Sequence, residues 1–444
     1  MSAVYQFLTF LVVLGIIVLV HELGHYIAAR LMKIRVEVFS FGFGKRLFGK
    51  KIGDTDFRVS LVPVGGYVRL AGEEDFDPEH PAPDQFMAKN RGQKIFTLVM
   101  GPVMNLVLAL LLIIMVNMGG VEIDSYKLET PVIGYVEKGS PAAKADLRPG
   151  DVLLAINGKK TPDWKEVEIT IGTNPQETLK IDFSRDGAPR TTELKVATRS
   201  RYEIGYAGFY WQLPAVIGDV VPDYPAQKAG LRPGDRITAV DGRTVANYFA
   251  LADIIHQSAG RPLQLAYRRN GSEASVSLTP VADNGVGVIG FNVRIASTTV
   301  RYGLGAAVQN SFREAGRLMF LTINAFKKII QRKISVKSFS GPIEIARVSQ
   351  QALESGFANF FMLIAFISLQ LGMINLFPIP GLDGGHLLIF TIEAAIRRDL
   401  NARLKSILLY AGFAFLISLM VFIVLNDIAK TLPRGWQSLL PFLG

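Results

Sequence analysis

The chain of 444 residues contains no cysteine. Disulfides and thiolate ligands are therefore excluded, and any metal must be held by His, Asp or Glu. The redox compartment stays open. Histidine is scarce, at five residues, so the spacing of those five is informative. Charge is sparse as well: Asp, Glu, Lys and Arg make up 19% of the chain against 49% hydrophobic residues, an apolar balance for a soluble protein. No Lys/Arg run interleaved with aromatics resembles a nucleic-acid module, and no nucleic-acid partner is expected. The formal net charge of +10 is assigned to loops facing a cytoplasm.

What is present is a set of long apolar runs. Four stretches suffice to cross a bilayer: about Val4 to Leu31, Ile95 to Met118, Phe357 to Phe377 and Ile407 to Leu425. The N-terminus lacks the basic region and cleavage site of a signal peptide, so the first span is expected to be retained. Leu318 to Phe326 is shorter, flanked by Arg317 and Lys327, and is predicted to be an interfacial amphipathic helix. Basic residues set the orientation. Seven lie between Arg30 and Lys51 against the single acid Glu37, and Arg397, Arg398, Arg403 and Lys405 precede the fourth span. Both loops are expected in the cytoplasm, which puts both termini and the segment from about Gly119 to Glu354 outside. In a bacterium with two membranes this means the inner membrane, with the long segment in the periplasm.

His21-Glu22-Leu23-Gly24-His25 closes the first span. On a helix, two histidines four apart share a face and can hold one ion, and a glutamate beside them can activate water. Ionisable groups at the end of an apolar run are costly and usually functional. The plain alternative is a helix end whose histidines hydrogen-bond at headgroup level. A metal held by two histidines needs a third protein ligand and an open position. Asp383, in Asn375-Leu376-Phe377-Pro378-Ile379-Pro380-Gly381-Leu382-Asp383-Gly384, is the candidate. Pro378 and Pro380 break the third span and leave unwound backbone, which is tolerated at membrane depth where it lines a cavity. Two crossings separate the His pair from Asp383, so both fall toward the cytoplasmic side. His386 is expected behind the ligands rather than on the metal, and His80 and His256 on the surface. Asn105, inside the second span, is expected to hydrogen-bond between helices.

The outer segment contains a repeat. Pro141 to Asp151 returns as Pro225 to Asp235, an offset that also maps Val132-Ile133-Gly134 onto Val216-Ile217-Gly218 and Arg185-Asp186-Gly187 onto Arg269-Asn270-Gly271. A period this long marks a duplicated small domain. Each copy is predicted to hold short alternating strands, Gly turns and one or two helices. Leu-Arg-Pro-Gly-Asp, an apolar strand and then Asn-Gly or Asp-Gly resembles the PDZ signature of bacterial envelope proteases. That resemblance implies peptide capture by strand addition beside a helix. The carboxylate-binding edge is expected at Ile133 and Gly134 in one copy, and at Ile217 and Gly218 in the other. Alternatively the copies only cap the membrane part.

His-Glu-x-x-His on a first span, Asn-x-x-Pro-x-Pro-x-Leu-Asp-Gly on a later one and paired PDZ-like copies between them closely resemble the site-2 protease family over nearly the whole chain. The resemblance implies zinc held by His21, His25 and Asp383, with Glu22 as general base. It also implies that Asn375 positions substrate or steadies the reacting carbonyl. It further implies that Gly42, Phe43 and Gly44, with Val64, Gly65, Gly66 and Tyr67, form a membrane-associated β-hairpin whose edge takes an unwound substrate. An ordinary cytoplasmic hairpin is the alternative.

The expected fold is thus a polytopic α-helical membrane protein of four transmembrane helices, with that hairpin and two inserted periplasmic PDZ domains (α+β). Residues 1–118 would hold the first two spans, 119–210 and 211–296 the PDZ copies, 297–356 the interfacial helices, and 357–444 the last two spans. The expected function is intramembrane zinc proteolysis of single-span membrane proteins, such as an anti-sigma factor after a first cut and leftover signal peptides. It would regulate an envelope stress response. A catalytically inactive, membrane-anchored PDZ scaffold is the main alternative. An ion transporter is another, but the spans show no inverted repeat.

Overall fold

A computed structural model describes residues 3–73, 82–199, 204–283, 285–331 and 341–431; His80 lies outside them. These residues fall into two compact units. One takes the described residues up to Val121, Arg301–Lys328 and those from Gly341 onward, and the other takes those of Glu122–Val300 with 329–331.

In the first unit, four described helices are long and apolar enough to cross a membrane: Val4–Leu31, Arg91–Gly119, Phe357–Asn375 and Arg403–Lys430. The second of these begins in a capping box, with Asn90 Oδ1 accepting from the Gln93 amide at 2.9 Å and Gln93 Oε1 accepting from the Asn90 amide at 3.2 Å. Its Ala109 and Ile113 pack on Ala365 and Leu369 of the third. Val13 and Ile17 of the first helix pack on Phe360 and Ile364. The first and second helices cross at glycines: a Cβ on Gly24 would stand 2.2 Å from the Met100 carbonyl oxygen. No side chain fits at that crossing.

Two elements extend beyond the sequence-based expectation, and a third falls where a helix was expected. The helix expected around Leu318–Phe326 runs over Leu304–Ile330, 27 residues, because Arg313, Glu314 and Arg317 continue its polar face instead of ending it. Pro342–Glu354 forms the second helix of the segment 297–356, where helices were expected. Its first amides, from Gly341, Ile343 and Glu344, donate to the Asp427 carboxylate at 2.9, 3.1 and 3.1 Å, so a buried acid from the last helix serves as its N-cap. The third apolar run is broken rather than ended. Its helix stops at Asn375, turns span 376–382, and a new helix occupies Asp383–Ile396. Pro378 and Pro380 cannot continue the first helix.

The expected hairpin is more folded than two straight strands. Strands Val36–Ile52 and Thr55–Leu70 each double back. Phe39, Ser40 and Phe41 pair with Val68, Tyr67 and Gly66 on one side and with Phe57, Arg58 and Val59 on the other, while Arg46 to Ile52 pair with Ser60 to Thr55. Four strand segments result, with 46–52 and 66–70 at the edges.

The second unit holds the duplication. Each copy has a four-stranded antiparallel sheet. In one copy the order is Lys159–Lys160, Val152–Ile156, Thr178–Arg185, Ala188–Lys195. In the other it is Arg243–Thr244, Arg236–Val240, Leu263–Arg269, Ser272–Leu278. Each copy also has a short helix, Pro141–Lys144 or Pro225–Lys228, and a longer one, Trp164–Gly172 or Tyr248–His256. The repeated Gly-Asp and Arg-x-Gly now have a structural cause. Asp151, 1% exposed, accepts from Arg185 Nε at 2.7 Å and from the Arg148 amide at 2.8 Å. Asp235, also 1% exposed, accepts from Arg269 Nε at 2.7 Å and from the Arg232 amide at 2.8 Å.

The carboxylate-binding edge expected at Ile133, Gly134, Ile217 and Gly218 is corrected. Ile133 and Ile217 are core residues at 1% and 0% exposure. Their amides donate to the carbonyls of Asp151 and Asp235, both at 2.8 Å, and the Gly134 amide donates to Tyr210 at 2.7 Å. Gly218 sits in a strand paired with Phe291–Val293. Ile204–Tyr206 and Val286–Val288 lie beside the longer helices, Trp164–Gly172 and Tyr248–His256. A Cβ on Gly205 or Gly287 would stand 2.0 or 2.2 Å from the Ile171 or Ile255 carbonyl oxygen of the longer helices.

Candidate metal centre

The first helix projects His21 and His25 from one face, both buried at 7% and 9% exposure. The new helix at Asp383 brings its carboxylate to them from the far end of the chain. His21 Nε2 lies 3.1 Å from Asp383 Oδ2, His25 Nε2 lies 3.5 Å from it, and the two Nε2 atoms are 3.2 Å apart. Metal–ligand bonds of about 2.0–2.1 Å in a tetrahedron place ligand atoms about 3.3 Å apart. The three observed edges straddle that value, so the donor set fits zinc with one position left open. Asp383 Oδ2 is buried and has no hydrogen-bond partner in the described protein atoms, as expected of an oxygen reserved for a cation.

Each ring is steadied through its other nitrogen. His25 Nδ1 lies 2.9 Å from the Thr97 carbonyl oxygen, so the proton sits on Nδ1 and Nε2 is free to ligate. His21 Nδ1 faces Asn105 Nδ2 at 3.2 Å, while Asn105 Oδ1 is buried with no partner. Turning the Asn105 amide over lets Oδ1 accept from Nδ1–H and removes the orphaned oxygen. Ser368 Oγ donates to the main-chain carbonyl of Asn105 at 2.8 Å. The sequence showed Asn105 in an apolar helix but not which neighbour it meets. Gly101 was missed altogether: a Cβ there would stand 2.2 Å from His25 Nε2.

Glu22 lies close enough to His25, His21 and Asp383 to interact with their charges. Asn375, the last residue of its helix, puts Nδ2 3.4 Å from His21 Nε2. Of the glycine-rich sheet residues, Gly66 comes nearest: a Cβ on it would meet Glu22 Cγ at 3.4 Å and the Ser40 carbonyl oxygen at 2.8 Å. Gly65, at φ +98°, has the Phe43 ring against it, and Phe43 stacks on Tyr67 with centroids 5.9 Å apart. Gly42 and Gly44 both take φ +88° where the strand turns over. Val64 lies in the same strand as Gly65. His386 is on the helix that Asp383 opens, outside the three-atom cluster.

The chain belongs to peptidase family M50, whose model matches residues 9–419. It is 31% identical over 470 residues to the "Regulator of sigma-E protease RseP" of Escherichia coli (strain K12), covering 97% of this chain and all of that protein. It is also 31% identical over 453 residues to a Neisseria meningitidis protein whose name places it among the zinc metalloproteases, covering 96% of this chain and all of that one. A solved PDZ domain of an SdrC-like protein from Listeria innocua matches 19% of this chain and 96% of itself, at 25% identity and a TM-score of 0.17. The protein is accordingly a zinc-dependent metalloprotease of the site-2 type, and the inactive scaffold is set aside.

Proposed function

We propose that this enzyme hydrolyses peptide bonds of single-span proteins inside the membrane, with His21, His25 and Asp383 holding zinc and Glu22 acting as general base. The observation that carries it is the meeting of three ligand atoms, Glu22 and a strand edge with no second strand partner among the described residues. Bound zinc supplies Lewis-acid polarisation of a carbonyl and acidifies water. Glu22 accepts the water proton and hands it to the leaving amine. Asn375 Nδ2, beside His21, is placed to donate to the reacting carbonyl or the neighbouring substrate backbone. A helical substrate buries its carbonyls in hydrogen bonds, so it must unwind. Edge 66–70, the Gly66 side of which abuts Glu22, offers backbone pairing for the extended segment.

The substrates by this reading are proteins already cut outside, such as an anti-sigma factor controlling an envelope stress response, and signal-peptide remnants. The orientation follows the basic loops: inner membrane, both termini and residues 119–296 periplasmic, metal toward the cytoplasm. We read 119–210 and 211–296 as PDZ domains. Their candidate peptide edges move to Ile204–Tyr206 and Val286–Val288, beside the longer helices, where they either grip trimmed ends or exclude bulky substrates. Residues 297–356 lie at the interface, and 357–444 contribute the ligand loop and the last helix. The test is cleavage of a purified single-span substrate by the wild type and by Glu22→Gln, with zinc measured in both. Loss of cleavage with zinc retained supports the assignment; unchanged cleavage overturns the role of Glu22.

A further inference from the structure

Tyr67, Ser40 and Arg58 lie in one row across three neighbouring strand segments, since Ser40 pairs with Tyr67 on one side and Arg58 on the other. Side chains in such a row stand on the same face. The middle one is small and 1% exposed, with Oγ 2.9 Å from both Ser60 Oγ and the Gly42 carbonyl oxygen. Arg58 therefore reaches across it. Its Nη2 donates to the Tyr67 hydroxyl, and its Cζ lies 5.7 Å from the Tyr67 ring centroid. Asp56 sits 3.6 Å from Nη1. Phe43 stacks on the same Tyr67 ring with 11° between planes. Arg58 and Phe43 come from other strand segments, so Tyr67 is clamped from across the sheet. Among the described residues, 66–70 pairs only with 36–41. The row ends at Tyr67, with no strand paired beyond it among the described residues.

We propose that Arg58 is a positioning residue for substrate. It holds Tyr67 as the surface against which one side chain of an added substrate strand packs. The inference rests on strand addition at this edge. A strand paired beyond Tyr67 puts one residue directly in the row, with its Cβ about 4.5–5.5 Å from that of Tyr67. The surface it meets is a phenol ring whose hydroxyl oxygen is already engaged. Such a surface suits a β-branched or aromatic residue and leaves a charged one without a partner.

The test uses full-length enzyme and a single-span substrate, with kcat and KM measured separately. Arg58→Met keeps the apolar stem and removes the fork. It should raise KM about two- to fivefold, the worth of one cross-strand pair, at unchanged kcat. Tyr67→Phe should raise KM in the same direction, and the double variant should be no worse than the worse single one, because both cut the same contact. Ser40→Val, which fills the space the guanidinium crosses, should reproduce the Arg58→Met effect. Zinc content and inhibition by a small hydroxamate without a peptide chain should stay at wild-type values.

A KM unchanged in Arg58→Met, additive effects in the double variant, or a kcat loss accompanied by zinc loss would each overturn the proposal. Substrates N-methylated at successive residues separate the two levels. If no methylation raises KM, strand addition itself fails, and the proposal with it. If methylation raises KM while Arg58→Met does not, only the role of Arg58 fails.

Discussion

At the scale of single residues, the site is a small triangle of donor atoms with edges of 3.1, 3.2 and 3.5 Å, and its predictions concern zinc. Glu22→Gln should retain the metal and lose about 10²–10⁴ in cleavage rate, the usual worth of a general base. Asp383→Asn should lose the metal; both are checked by metal analysis beside a cleavage assay. Asn105→Ala should weaken zinc about 10–100-fold, the typical cost of removing a group that orients a ligand, as read by chelator competition. Gly101→Ala should disrupt the site by sterics alone, since its Cβ would meet His25 Nε2 at 2.2 Å. The two histidines and Glu22 were legible because a helix makes their spacing a geometry. Asn105 was legible as a residue that hydrogen-bonds between helices, but not as the partner of His21, which is 84 positions away.

At the scale of elements, the third apolar run shows where periodicity stops being informative. Composition alone reads Phe357 to Phe377 as a span, but whether the chain resumes as a helix after Pro380 depends on packing. A Cβ on Gly384 would stand 2.0 Å from the Phe377 carbonyl oxygen, and one on Gly385 would stand 2.5 Å from that of Ile379. The Asp383 helix therefore seats on its own entry loop because those two positions carry no side chain. In the duplicated domains, the buried carboxylate of Asp235 has a pH signature. Burial pushes its pKa up, but the Arg269 guanidinium and the Arg232 amide outweigh that and hold it below the ordinary value. A group with a depressed folded pKa stabilises above its unfolded value, about 3.9 for Asp, and that stability is lost as pH falls through the folded value. Hydrogen exchange of the Arg236–Val240 and Leu263–Arg269 amides in the full-length protein should therefore be pH-insensitive in opening free energy above about pH 5. It should show faster opening in more acid solution. Asp235→Asn should cost about 2 kcal/mol at neutral pH, as for a hydrogen bond to a charged group, and should flatten that acid limb.

At the scale of the whole molecule, two units with separate cores share one chain. One copy in the second unit packs Ile133, Leu153, Trp164 and Leu179 together, and the other packs Ile217, Ile237, Leu251 and Leu265; neither includes a member of the metal centre. Stripping zinc with a chelator should therefore abolish cleavage while leaving amide protection in Glu122–Val300 unchanged. Loss of that protection on chelation would contradict the separation. The repeat was legible because duplication preserves spacing, and the Asp–Arg pair 34 residues apart recurs in both copies. The position of a peptide edge was not, because a strand's free side depends on which later segment pairs with it.

The sequence by itself determined the apolar helices, the duplicated segment, the two histidines with their glutamate and a ligand set limited to His, Asp and Glu. Each is set by local periodicity, by donor chemistry or by the absence of cysteine. Asp383 was the sequence's candidate for the third ligand, and the fold brings it to the histidines; the tertiary structure alone decided that Asn105 stands behind His21, that the glycine-rich strands fold into four segments and that Arg58 reaches Tyr67 across Ser40. Those facts depend on which distant surfaces pack together, and packing is a property of the whole chain that no single window of residues encodes.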